Sequence, residues 1–277
     1  MKLKELLDSF YDSFDFKERV LNDPIEFPSM YKTPGDIEVS GLIAASFAYG
    51  KVTLFKPVIR QILEKMGKSP YEFLINFDVK NEGKLFSGIS YRFNRNEDVL
   101  AFLLVIGEIL KNYGSIKTLF LQNFNGSIYN SISGFVQYAL SVNTEPVYGN
   151  NRQPSGFLQF FPDPVKGSAC KRINMYLRWM VRNKDIDFGL WTEIPPSDLV
   201  IPLDTHISKV ARCLGLTKRK ANDWRAAVEI TQALSALDPL DPLKYDFALC
   251  HHGISGACKG EGSSECDKCS FAEFNLS

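Results

Sequence analysis

The sequence predicts an all-α protein. Three observations predict it. Apolar residues recur at helical spacing nearly throughout, glycine or proline punctuates those stretches, and no alternating hairpin pattern, repeat or low-complexity segment occurs. The 277 residues give room for one to two domains at roughly 150 residues each. Apolar residues make up 45% and charged residues 23%, which excludes a disordered, collagen-like or small disulfide-stapled chain. The 32 basic and 32 acidic residues cancel. That argues against a bulk electrostatic nucleic-acid binder and leaves room for a local basic face. No apolar run approaches the ~18 residues of a membrane span, and residues 99–110 contain Glu108. The first eight residues lack the pattern of a signal peptide. The expectation is a cytoplasmic monomer that does not enter a membrane.

The helices follow in order. Leu3, Leu6, Leu7, Phe10 and Phe14 trace a stripe through residues 2–20. Residues 36–49 form the next helix, stopped by Gly50, and residues 53–66 another, stopped by Gly67. Ser69-Pro70 starts a helix with an N-cap serine and a proline in the first turn. Residues 96–98 open an apolar helix that ends before Gly114, and residues 127–141 form a weaker one. Residues 143–164, rich in Asn, Pro and Gly, read as a long loop between an N-terminal helical region, 1–142, and a C-terminal one, 165–277. Helices then resume over 168–182, from the Asp204 cap to Leu214, over 220–237, and from Asp241-Pro242 to about His252.

In the 168–182 helix, Ile173, Tyr176, Leu177 and Met180 form the apolar stripe. Lys171, Arg178 and Arg182 fall within ~40° of one another along a second line. Residues 166–182 hold Lys166, Lys171, Arg172, Arg178 and Arg182 and no acidic residue. A solvated helix face accounts for such charges, and so does a face that tracks phosphates. Trp179 and Trp191 offer stacking surfaces or core. Asp204 stands where an N-cap belongs, and a helix N-terminus favours its ionised form.

Near the C-terminus, Cys250, Cys258, Cys266 and Cys269 lie within 20 residues, spaced C-x7-C-x7-C-x2-C. Without a secretion signal such a group points away from disulfides and toward a tetrahedral thiolate site or an iron–sulfur cluster.

The segment PLDTHISKVARCLGL, residues 202–216, resembles the helix–hairpin–helix DNA glycosylases of the endonuclease III and 8-oxoguanine glycosylase superfamily. There, V-D-T-H/S-V-x-R-V-x-x-R-L carries the catalytic aspartate. Residues 171–216 also look like a bacterial family of unknown function near that superfamily. The resemblance covers roughly residues 162–269. It implies a two-lobed helical glycosylase fold with a C-terminal metal loop. It matches Lys171 to the lysine that attacks the sugar C1′, and Asp204 to the aspartate. Lys166 is a rival nucleophile. Ala169 stands where the family's hairpin has glycine, and Gly167 is the nearest glycine. His252, Gly253, Cys258, Cys266 and Cys269 are similar to the first part of the family's H-G-x3-C-x6-C-x2-C-x5-C motif, which holds a [4Fe-4S] cluster; the fourth family cysteine would fall near Asn275 and is missing. Cys250, or His251 or His252, then supplies the fourth ligand, and zinc is the alternative metal. The implied activity is removal of a damaged base, an oxidised purine among the candidates, from DNA with the base flipped into a pocket. Lys166, Arg172, Arg178 and Arg182 would meet phosphates. The alternatives are a non-catalytic nucleic-acid-binding protein with a structural metal and an RNA- or nucleoside-directed enzyme on the same scaffold.

Overall fold

Helix makes up 61% of the chain in a computed structural model that describes residues 2–150, 152–258, 269 and 271. No strand forms among the described residues. Two isolated bridges, Tyr91–Asn94 and Ser168–Asp223, are the extended pairings there. The helices are α1 (Leu3–Asp12), α2 (Phe16–Val20), α3 (Pro34–Phe47), α4 (Val52–Met66), α5 (Pro70–Ile75), α6 (Val79–Glu82), α7 (Asn96–Tyr113), α8 (Ile116–Gln122), α9 (Ile128–Ser141), α10 (Glu145–Tyr148), α11 (Ser155–Leu158), α12 (Lys171–Val181), α13 (Thr205–Cys213), α14 (Trp224–Ser235) and α15 (Asp246–Ile254). No single helix among the described residues is long and apolar enough to cross a membrane.

Contacts divide the chain into one unit of Met1–Arg19 with Lys166–Ser277 and another of Val20–Val165. The expected division at 142 and 165 therefore differs at the N-terminus. The first helix packs with the C-terminal helices, because tertiary burial rather than chain order decides which faces meet.

In the unit of Val20–Val165, α3 and α7 are buried on nearly every side. The helix starts are where small polar residues promise them. Thr33, Ser69, Ser115 and Ser127 each accept a first-turn amide. Buried Asp36 also accepts from the Ser69 hydroxyl at 2.7 Å and from Tyr71 N at 3.0 Å, joining the starts of α3 and α5. A Cβ on Gly107 would sit 2.7 Å from Leu74 O, so glycine lets α5 and α7 touch. Residues 143–164 are not the structureless loop expected. They hold α10 and α11, tied down by Tyr148 Oη donating to Asp98 at 2.8 Å and Asn94 Nδ2 donating to Gly156 O at 2.6 Å.

In the other unit, the stripe over 2–20 breaks between α1 and α2, where Asp15 accepts from Glu18 N at 2.9 Å and restarts the helix. Lys244 Nζ and Tyr245 Oη both donate to Asp8 Oδ1, at 2.6 and 2.7 Å, which holds α1 against the start of α15. Phe14, Phe16, Phe247 and His251 form an aromatic cluster beneath it. Helix α15 begins at Asp246 rather than at Asp241, because Asp241 is turned toward Arg182. Helices α13 and α15 cross closely: a Cβ on Gly253 would lie 2.9 Å from His206 Cβ.

Candidate functional site

Lys171 is the first residue of α12 and Asp204 is the N-cap of α13. Two local features set these starts. Gly167 takes φ +82° and Cys170 takes φ +49°, so the chain turns sharply before α12. Asp204 is extended, and its Oδ1 accepts from His206 N and Ile207 N, both at 2.9 Å. The other oxygen, Oδ2, lies 4.0 Å from Lys171 Nζ, with both side chains about one quarter exposed. One carboxylate thus serves the helix with one oxygen and the amine with the other. Met175 Sδ, one turn along α12, stands 3.7 Å from Nζ and gives the amine an apolar wall.

Behind this pair lies a charged interior. The expected apolar stripe of α12 is buried, and so are Arg178 and Arg182, at 3% and 2% exposure. Arg178 Nη1 donates to Asp246 Oδ2 at 2.5 Å and Nε to Asp187 Oδ1 at 3.3 Å. Arg182 chelates Asp241 with Nε and Nη2, each 2.8 Å from one oxygen, donates to Asp185 at 3.2 Å, and also bonds Asp187. The line of Lys171, Arg178 and Arg182 is real, but past Lys171 it points inward. The expectation that Arg178 and Arg182 meet phosphates is therefore corrected: four aspartates already hold them. Trp179 and Trp191 are fully buried core as well.

Burial pushes the Asp246 carboxyl above the usual carboxylate range. Arg178 and Lys171 oppose the rise, and Asp204 adds to it. The Asp246 carboxylate thus shares a field with both members of the surface pair. Its Oδ1 is buried with no hydrogen-bond partner among the described residues. Burial likewise raises Asp187 against the pull of both arginines. Sequence spacing carries no signal for these partners, because Asp187 and Asp241 lie in separate connections and Asp246 opens α15.

Lys166 is exposed and Arg172 half-buried. The turn they flank is bridged to another basic segment through Ser168–Asp223 and through Trp224 N donating to Gly167 O at 3.1 Å. That segment carries Lys218, Lys220 and Arg225, all exposed, and Arg219, which pairs with Asp223 at 3.0 Å. The Lys218-Arg219-Lys220 run is legible in the sequence after Gly215, but only the pairing of this loop with the Gly167 turn places it beside Lys166 and Arg172.

Two of the described C-terminal cysteines have a partner within reach. Cys258 Sγ lies 3.7 Å from Cys213 Sγ, a residue that stands apart in the sequence. Cys269 Sγ lies 3.5 Å from His252 Nε2, and burial holds the His252 ring toward its neutral, ligating form. Cys250 sits half-buried on α15, and Cys266 lies outside the described residues. Among the described residues no group of three or more His, Cys, Asp or Glu side chains converges on one point.

Residues 23–255 match the sequence family described as "Protein of unknown function (DUF2400)". No curated protein and no solved structure matches the chain. The matched stretch contains Lys171, Asp204 and the buried arginine–aspartate network, and it ends before Cys258.

Proposed function

We propose that this chain, which belongs to the DUF2400 family, is a DNA glycosylase with AP lyase activity that acts on a damaged base. The observation that carries the reading is the approach of Lys171 Nζ to Asp204 Oδ2 at 4.0 Å, across 33 residues of chain. An amine beside a carboxylate that a helix N-terminus holds in place is the pair that displacement at a sugar carbon needs. The deprotonated Lys171 Nζ forms a bond to C1′ as the glycosidic C–N bond breaks. The base leaves with that electron pair and is protonated from solvent. The new secondary ammonium loses a proton to solvent, and the freed nitrogen lone pair then expels the ring oxygen, which takes up a proton from solvent as a hydroxyl and leaves a protonated imine. Asp204 Oδ2, the oxygen the cap does not use, offsets the positive charge that develops at C1′.

Phosphate contact falls to the exposed cations around the Gly167 turn: Lys166, Lys218, Lys220 and Arg225, with half-buried Arg172 beside them. A metal–thiolate centre belongs to the reading as a structural element of the C-terminal segment and takes no part in the chemistry.

The test is borohydride trapping on duplex DNA carrying an abasic site or an oxidised purine. Wild type is expected to give a covalent adduct, and Lys171→Gln none, with DNA binding retained. Asp204→Asn keeps an acceptor for the cap and is expected to slow base release at least 100-fold at a stability cost of no more than ~1 kcal/mol. Trapping that survives in Lys171→Gln and is lost in Lys166→Gln moves the nucleophile to Lys166. A wild type that binds DNA and never traps or cleaves it leaves a non-catalytic binding protein.

A further inference from the structure

We infer that Asn174 is a positioning residue for Lys171: from inside α12 it holds the left-handed turn that aims the amine at Asp204. The inference rests on the Lys171–Asp204 reading above and adds a third residue to that pair. Helix α12 does not start as the capped helices do. Thr33, Ser69, Ser115, Ser127 and Asp204 are extended N-caps whose side chains accept first-turn amides. Cys170, at the same position of α12, is left-handed, with φ +49° and ψ +36°, and its side chain makes no cap bond. A residue with a Cβ is disfavoured in that region, so its neighbours must hold it there.

Asn174 supplies that hold. Its backbone N donates to Cys170 O at 2.9 Å, and its Nδ2 donates to Ala169 O at 3.0 Å. The two peptide planes that meet at Cys170 are thus both fastened to one residue, and Ser168 Oγ accepts from Cys170 N at 3.2 Å as a further brace. Asn174 is 1% exposed, and its Oδ1 has no hydrogen-bond partner among the described residues. A buried amide with an unbonded oxygen is costly to keep. The one bond this side chain does make sets the turn before the nucleophile. The buried stripe of Ile173, Tyr176, Leu177 and Met180 keeps the body of α12 in place, so a release of the turn falls on Lys171. Its Nζ stands 4.0 Å from Asp204 Oδ2 with the turn in this form. A misplacement of about 1 Å at a reacting centre lowers a rate by about 100-fold.

The test uses the full chain and two readouts. The first is the single-turnover rate of borohydride trapping on saturating abasic duplex DNA, with DNA affinity measured beside it. The second needs no DNA. A carbodiimide joins an amine directly to a neighbouring carboxylate, so the yield of the Lys171–Asp204 cross-link, read by peptide mass spectrometry, reports their approach. Asn174→Ala is expected to slow trapping by roughly 10–100-fold at unchanged DNA affinity and to lower the cross-link yield. Asn174→Asp, which sets a carboxylate oxygen against Ala169 O, should lower both at least as far. In a Cys170→Gly background the turn carries no Cβ penalty, and Asn174→Ala should cost little in either readout. A packing role gives no such rescue, and this background keeps the comparison available if Asn174→Ala alone does not fold. Wild-type rate and cross-link in Asn174→Ala overturn the inference. So does a loss, or a failure to fold, that Cys170→Gly leaves unrelieved, and so does a wild type that gives no Lys171–Asp204 cross-link. If wild type binds DNA and never traps it, the catalytic reading falls, and the cross-link yields alone decide the role of Asn174.

Discussion

Arg182 shows how much a single side chain changes meaning once its partners are known. Its guanidinium bonds Asp185, Asp187 and Asp241 from inside the protein. Burial alone would pull its proton affinity down, and the bonds to Asp241 and Asp187 outweigh that, so it is held firmly as a cation. Removing it leaves the fully buried Asp187 carboxylate short of one of its two cations. Arg182→Met is expected to destabilise the protein by ~3–5 kcal/mol, read as a fall in the urea midpoint. Lys166→Ala, at an exposed position, should stay within about 0.5 kcal/mol of wild type.

At the scale of elements, two contacts set how the helices of the unit of Met1–Arg19 with Lys166–Ser277 meet. The α13–α15 crossing depends on Gly253, whose missing Cβ lets His206 approach. Gly253→Ala forces a methyl to 2.9 Å from His206 Cβ, both on helix backbones with little freedom to give. The expected cost is about 1–3 kcal/mol in chemical denaturation, and larger for Gly253→Val. Helix α1 depends on Asp8. Hydrogen bonds from Lys244 and then Tyr245 hold its carboxyl well below the ordinary value of 3.8. A depressed folded value means that the stabilisation is complete above the unfolded pKa and is lost as pH falls toward the folded one. Stability should therefore decline below about pH 4, and Asp8→Asn should flatten that part of the profile in urea titrations at pH 2.5–5.

For the whole molecule, zero net charge conceals a division between buried and exposed cations. Arg178 and Arg182 are neutralised internally, while Lys218, Lys220 and Arg225 face solvent. DNA affinity should therefore fall steeply with salt, and replacing Lys218, Lys220 and Arg225 together should lower the log–log slope by up to roughly three units. Variants of Arg178 or Arg182 that remain folded should keep the wild-type slope. A slope that responds to the buried arginines and not to the exposed cations would place the phosphate face elsewhere.

What the sequence determined by itself is local. Helical periodicity, the caps at Ser69 and Asp204, and the stops at Gly67 and Gly114 follow from backbone and side-chain chemistry within a few residues, and the helices stand close to where those signals put them. The choice of Lys171 and Asp204 as a pair came from a motif, and the fold brings them to 4.0 Å. The angular line of Lys171, Arg178 and Arg182 was also legible, since 3.6 residues per turn fixes it. Whether that line met water or the interior was not, because the answer lies in aspartates 9 to 68 positions from Arg178 and up to 59 from Arg182. The same holds for Cys213, which looks solitary in the chain and meets Cys258 only because α13 is laid against α15. Periodicity fixes direction about a helix axis; only the packing of distant helices decides what stands in that direction.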